Sequence, residues 1–108
     1  MRLLRFIHRA WYRWWYRNLT IAKVEEVPER PTPGVSYLVE EDGVSWAVAF
    51  KCPCGCGESI SLNLIGQHPR WSAQVDASEK MTLHPSIWRT SGCKSHFWIR
   101  QGRIHWAR

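Results

Sequence analysis

The chain has 108 residues, with 15 Lys and Arg against 9 Asp and Glu, a net charge of +6. That is the length of one domain, and 44% hydrophobic with 13% aromatic residues marks a globular chain, not a disordered one. It is too short for a full Rossmann or TIM-barrel enzyme, and no run approaches the ~18 apolar residues of a transmembrane helix.

Residues 1–17 hold five Arg and no acid, while the remaining 91 residues hold ten basic and nine acidic side chains. The basic balance thus belongs to the N-terminus, and no nucleic-acid partner is expected from it. Residues 2–19 read as a helix, because Arg2, Arg5, Arg9, Arg13 and Arg17 recur every three or four positions and stack on one face. Leu3, Leu4, Ile7, Trp11, Trp14, Trp15 and Leu19 fill the other faces. This predicts a docking helix with Trp against the domain and Arg in water. The alternative is a helix lying on an anionic membrane surface or in a partner's groove. Arg5, Arg9 and Arg13 interrupt any signal-peptide core, so a cytoplasmic location is expected.

Residues 20–27 alternate as a strand, and 28–34 (PERPTPG) read as a Pro-rich linker. The pattern divides the chain into 1–27, a basic Trp-rich helix and first strand; 28–34, the linker; and 35–108, a β-rich domain. Residues 35–40 and 44–52 flank Asp42-Gly43, a strong hairpin signal. Residues 59–64, 71–76 and 81–84 are further strand candidates. Residues 96–100 and 103–107 flank Gln101-Gly102, a second hairpin. His68 and His84 each precede a proline, which suggests turns there. Trp46, Trp71, Trp88, Trp98 and Trp106 fall in separate segments and read as core or half-exposed sheet residues. The expected fold class is α+β: a small antiparallel β-rich zinc-binding domain with an N-terminal amphipathic helix.

The most informative segment is Cys52-Pro53-Cys54-Gly55-Cys56-Gly57-Glu58. Cysteines at i, i+2 and i+4, with Pro and Gly between them to bend the chain, can converge on one point. Ser91-Gly92-Cys93-Lys94-Ser95-His96 follows, and Cys-x-x-His after a Gly turn suits the second half of a zinc site. Zinc takes four ligands, and five donors are present: Cys52, Cys54, Cys56, Cys93 and His96. The preferred set is Cys54, Cys56, Cys93 and His96, with Cys52 the uncertain member. Ser95 lies between two of these donors and is placed to orient them.

A catalytic zinc would need an open position and a base that is not a ligand. Glu58, two residues beyond Cys56, is the candidate; its other reading is a solvated turn residue. Ser86 shows no Ser-His-Asp partner set in the sequence, so a serine nucleophile is not expected.

Phe50–Gly57, Trp71, Leu83–Ile87, Gly92–Ile99 and Gly102–Trp106 together resemble a bacterial family catalogued as domain of unknown function 6527. The resemblance covers roughly residues 44–106. It implies genes beside bacterial ubiquitin-like proteins and their activating and conjugating enzymes, which would be the partners. It implies Cys52, Cys54, Cys56, Cys93 and His96 as metal ligands. Two functions follow as expectations: a zinc-dependent peptidase or isopeptidase that processes or deconjugates a ubiquitin-like protein, or a non-catalytic structural-zinc adaptor.

Overall fold

The computed structural model describes residues 2–107, with side chains from His8 onward. One helix, α1 (Arg2–Trp15), precedes eight strands: β1 (Thr20–Val24), β2 (Val35–Glu41), β3 (Val44–Lys51), β4 (Ser59–Asn63), β5 (Ser72–Val75), β6 (Met81–Trp88), β7 (His96–Arg100) and β8 (Arg103–Trp106). They form two four-stranded sheets, ordered β1-β2-β3-β4 and β5-β6-β7-β8. The β-rich expectation holds at this level, with one difference: β1 pairs parallel to β2, Thr20 opposite Val35. Residues 28–34, expected as a linker, thus lie in the crossover (25–34) between two paired strands, and the strand expected over 20–27 ends at Val24. The crossover bonds back to β2, where Thr32 N–H donates to Tyr37 Oη at 2.9 Å.

Alternation along the strands builds the core between the sheets. Leu38, Val48, Phe50, Ile60 and Leu62 from the first sheet meet Met81, Leu83, Ile87, Phe97, Ile99 and Ile104 from the second. Phe50 and Phe97 cross edge-to-face, with centroids 6.2 Å apart. The two expected hairpins form with two-residue loops. Glu41 faces Val44 across Asp42 (φ 51°) and Gly43 (φ 79°). Arg100 faces Arg103 across Gln101 (φ 50°) and Gly102 (φ 75°). Positive φ at both central residues is the turn that matches strand twist.

Helix α1 reverses the expected orientation. Trp11, Trp14 and Trp15 are exposed, while Arg9, Tyr12, Arg13 and Tyr16 face the domain. The Tyr12 ring lies on Gly55 and the Tyr16 ring on Gly34, where an added Cβ would fall 3.0 Å and 2.9 Å from the rings. Arg13 sits 4.1 Å over the Trp106 ring. The glycines leave room for a flat ring to reach backbone, and spacings of three and four bring these four side chains to one face. The side chains of Arg2, Leu3, Leu4, Arg5 and Ile7 lie outside the described residues.

After the helix, residues 17–20 tie the two sheets together. Ile104 N–H donates to Arg17 O, Leu19 N–H to Gly102 O, and Thr20 N–H to Gly34 O. Among the described residues no helix is long and apolar enough to cross a membrane.

The two hairpin glycines provide a matched test. Both have positive φ, but a Cβ at Gly43 meets nothing within 4 Å, whereas one at Gly102 falls 3.0 Å from Leu19 O. Gly43→Ala should cost about 1–2 kcal/mol, the backbone term alone. Gly102→Ala should cost about 1–3 kcal/mol more, because it overpacks the segment that joins the sheets. Urea denaturation of both variants checks the difference.

Candidate functional site

Two groups of reactive side chains involve the segment that runs from β6 into β7. The first is the cysteine cluster. Cys52 directly follows β3 and is buried. Its N–H donates to Glu58 O, and Gly55 N–H donates to Cys52 O, which curls the segment into a knuckle. Gly55 (φ 90°) and Gly57 (φ 85°) supply the left-handed conformations that this requires. Cys93 arrives from the β6–β7 loop. The sulfurs of Cys52, Cys54, Cys56 and Cys93 all lie within 4.8 Å of one another, with Cys52–Cys54 at 3.4 Å and Cys52–Cys93 at 3.7 Å. A tetrahedron of zinc–sulfur bonds of about 2.3 Å spaces its sulfurs about 3.8 Å apart, so the thiols fit one metal ion.

Electrostatics distinguish the thiols. Burial pushes Cys52 well above the ordinary thiol range; the Cys54 backbone opposes this rise, and the Cys54 sulfur adds to it. Burial also opposes ionisation of Cys54, but interactions with Ser95, Cys52 and Arg9 outweigh it and lower that thiol to about 6. The Ser95 hydroxyl is buried without a well-formed hydrogen bond, so its pull on the Cys54 sulfur is a weak contact and not a full bond. Burial raises Cys56.

The set differs from the preferred one. Cys52 joins the group, and His96 is the donor left outside it. Glu58 also has another partner. Its Oε2 accepts from Arg89 Nη2 at 2.6 Å and packs on Gly92, whose added Cβ would fall 3.4 Å away. Glu58 thus pins the cysteine knuckle to the β6–β7 loop.

The second group is Ser86 and His96. β6 runs past Pro85, where the sequence suggested that it ends. Leu83 pairs with Ile99 and Ile87 with Phe97, so His84, Pro85 and Ser86 stand opposite Trp98 alone. This three-against-one bulge re-aims the chain, and Pro85 has no N–H for the ladder to lose. Ser86 Oγ lies 2.9 Å from His96 Nε2. Both residues are half-buried on the outer face, while Ile87 and Phe97 point into the core. Trp88 stacks on His96 at 5.0 Å and 13°, and Trp98 flanks it at 5.2 Å. Among the described residues no carboxylate bonds His96; the two indoles hold the ring. Trp71 Nε1 donates to Ser86 O at 3.3 Å. On the β5 side of Pro85 a cleft of about 540 Å³ opens among His68, Arg70, Trp71, Ser72 and His84.

A serine hydroxyl in hydrogen-bond contact with an imidazole is the nucleophile–base relation of covalent hydrolysis. The sequence reading missed it, having placed His96 on the metal and a turn at Pro85. The signal was present in the spacing of Met81, Leu83 and Ile87, all buried, which continues a strand through the proline.

No curated protein and no solved structure matches the chain. A family model does match, over residues 23–107, and it is described as bacterial ubiquitination-like system serine protease (BubE). The match supports the expected link with bacterial ubiquitin-like systems and overturns the expected zinc-dependent peptidase or isopeptidase. The role given to Glu58 on a metal-bound water goes with it, in agreement with the Glu58–Arg89 ion pair. Residues 23–107 take in every strand from β2 to β8, both reactive groups among them, and the chain belongs to the bacterial ubiquitination-like system serine protease family.

Proposed function

We propose that this chain is a serine protease that cleaves a ubiquitin-like protein, with Ser86 as nucleophile and His96 as general base. The observation that carries this reading is the 2.9 Å contact between Ser86 Oγ and His96 Nε2 in a chain of a serine-protease family. Ser86 Oγ attacks the carbonyl carbon of the scissile amide as His96 Nε2 takes the hydroxyl proton. The tetrahedral adduct collapses, the C–N bond breaks, and His96 returns the proton to the leaving amine. Water then attacks the acyl ester as His96 takes its proton, the ester C–O bond breaks, and His96 returns that proton to Ser86 Oγ, which leaves as the free hydroxyl. The partners on this reading are the ubiquitin-like protein and the enzymes that activate and attach it.

Cys52, Cys54, Cys56 and Cys93 would hold one Zn²⁺ as a closed structural site. Four thiolates leave no open position for water and weaken the ion as a Lewis acid. Its work is mechanical. Cys93 lies three residues before His96, and Arg89 N–H donates to Ser95 O at 2.8 Å, so fixing Cys93 fixes the start of β7. Four free thiols side by side suit a reducing, cytoplasmic setting.

Ser86→Ala and His96→Ala should each lower cleavage of the ubiquitin-like protein about 10⁴-fold or more, with one zinc per chain and an unchanged far-UV circular dichroism spectrum. Normal cleavage by Ser86→Ala would refute the assignment. Cys54→Ser should lose both the metal and the fold, since a structural zinc site contributes folding free energy directly. Replacing Zn²⁺ with Cd²⁺ should restore the fold and leave kcat within about twofold, because the ion touches no reacting atom.

A further inference from the structure

We infer that an extended, unstructured segment of the substrate adds as a strand to the free edge of β6 at Trp88, in line with β5. The inference rests on the proposed protease reading and supplies the way in which that site holds its substrate.

The register creates the edge. β5 pairs only with the first half of β6, from Ser72 opposite His84 to Val75 opposite Met81. Upstream of Ser72 the chain turns away, and Trp71 N–H donates to Asn63 O in the other sheet. Residues 86–88 therefore have β7 on one side and no strand on the other. Alternation decides which main-chain groups are open. Arg89 N–H donates to Ser95 O, and Ile87 stands opposite Phe97 in the same register, so residues 87 and 89 face β7. Trp88 N–H and C=O then face the open side. Among the described residues nothing bonds them, and Trp88 is 66% exposed. The Trp71 indole on Ser86 O marks where the protein's own pairing stops.

An unpaired donor and acceptor on a strand edge form a template for another extended chain, and proteins ordinarily protect such edges. This one lies two residues from Ser86 and shares its face of the sheet. A peptide paired with Trp88 would run along the edge toward Ser86 and bring a main-chain carbonyl past Oγ. Main-chain pairing of this kind gives affinity with little demand on side chains, and it requires a segment free of fixed structure. It also requires free amides at alternate positions, because a strand presents every second N–H to one neighbour.

The test uses the full chain carrying Ser86→Ala. The probe is a fluorescent ten-residue peptide with the C-terminal sequence of the system's ubiquitin-like protein, and a set of analogues each N-methylated at one residue. Binding should weaken about fivefold to tenfold at every second position next to Ser86, the loss of one hydrogen bond, and less than twofold between them. Trp88→Pro, which removes the N–H, should bind more weakly than Trp88→Ala, which removes only the ring, both with unchanged circular dichroism. No binding, an even effect along the peptide, or equal affinity of the two Trp88 variants would overturn the inference. The period-two pattern with no cleavage by the unaltered protein would keep the edge and reject the protease. Cleavage without the pattern would do the reverse.

Discussion

Everything at the candidate active site depends on a mismatch of length between β6 and β7. The strands are in register at Leu83–Ile99 and again at Ile87–Phe97, and between these pairs three residues face one. The surplus cannot lie flat in a ladder. It bows outward while Leu83 and Ile87 stay anchored in the core, at 2% and 3% exposure. The anchors are firm because a slip of one residue would move Ile87 to the solvent face. Ser86 sits on the outgoing side of this bow, where the return into register directs it at His96.

The cysteine cluster secures the other partner. His96 opens β7, and without support the loop before it would be free to move. Cys93 joins the knuckle at the end of β3, and the Glu58–Arg89 ion pair closes the same gap from the other side. The exposed ion pair alone adds little stability, so a metal held by the four thiols would carry most of the constraint. This separates two kinds of chemistry that the sequence places side by side. The thiols converge without His96, which leaves its Nε2 on Ser86. Helix α1 covers the same knuckle, through Tyr12 on Gly55 and Arg9 Nε on Cys54 O.

What could be read in the sequence was local. Asp42-Gly43 and Gln101-Gly102 form hairpins because turn chemistry depends on the turn residues alone. Three cysteines in five residues converge because Pro and Gly bend the chain between them. What could not be read depended on partners distant in sequence. Ser86 and His96 are ten residues apart, and only the β6–β7 register joins them. Pro85 read as the end of a strand, since a proline usually is, and the bulge that accommodates it is set by β7. The spacing of His96 from Cys93 points to the metal, a pattern that fits equally well with a strand starting after the last ligand. The helix face was reversed because what suits its tyrosines is a pair of glycines in loops far from it in sequence, Gly34 and Gly55. The parallel β1–β2 pair could not be seen because Pro-rich residues 28–34 look the same as a linker or a crossover.

On the proposed function, Ser86, activated by His96, is the group that reacts with the substrate carbonyl. A fluorophosphonate probe reads this without any knowledge of the substrate, because it forms a stable phosphonyl ester with an activated serine. Incubating the intact protein with the probe, followed by peptide mapping by mass spectrometry, should place one adduct per chain on Ser86. His96→Ala should remove the adduct while leaving the four cysteines and the fold intact. An adduct on another residue, or equal labelling after His96→Ala, would rule out the Ser86–His96 pair as the reacting group.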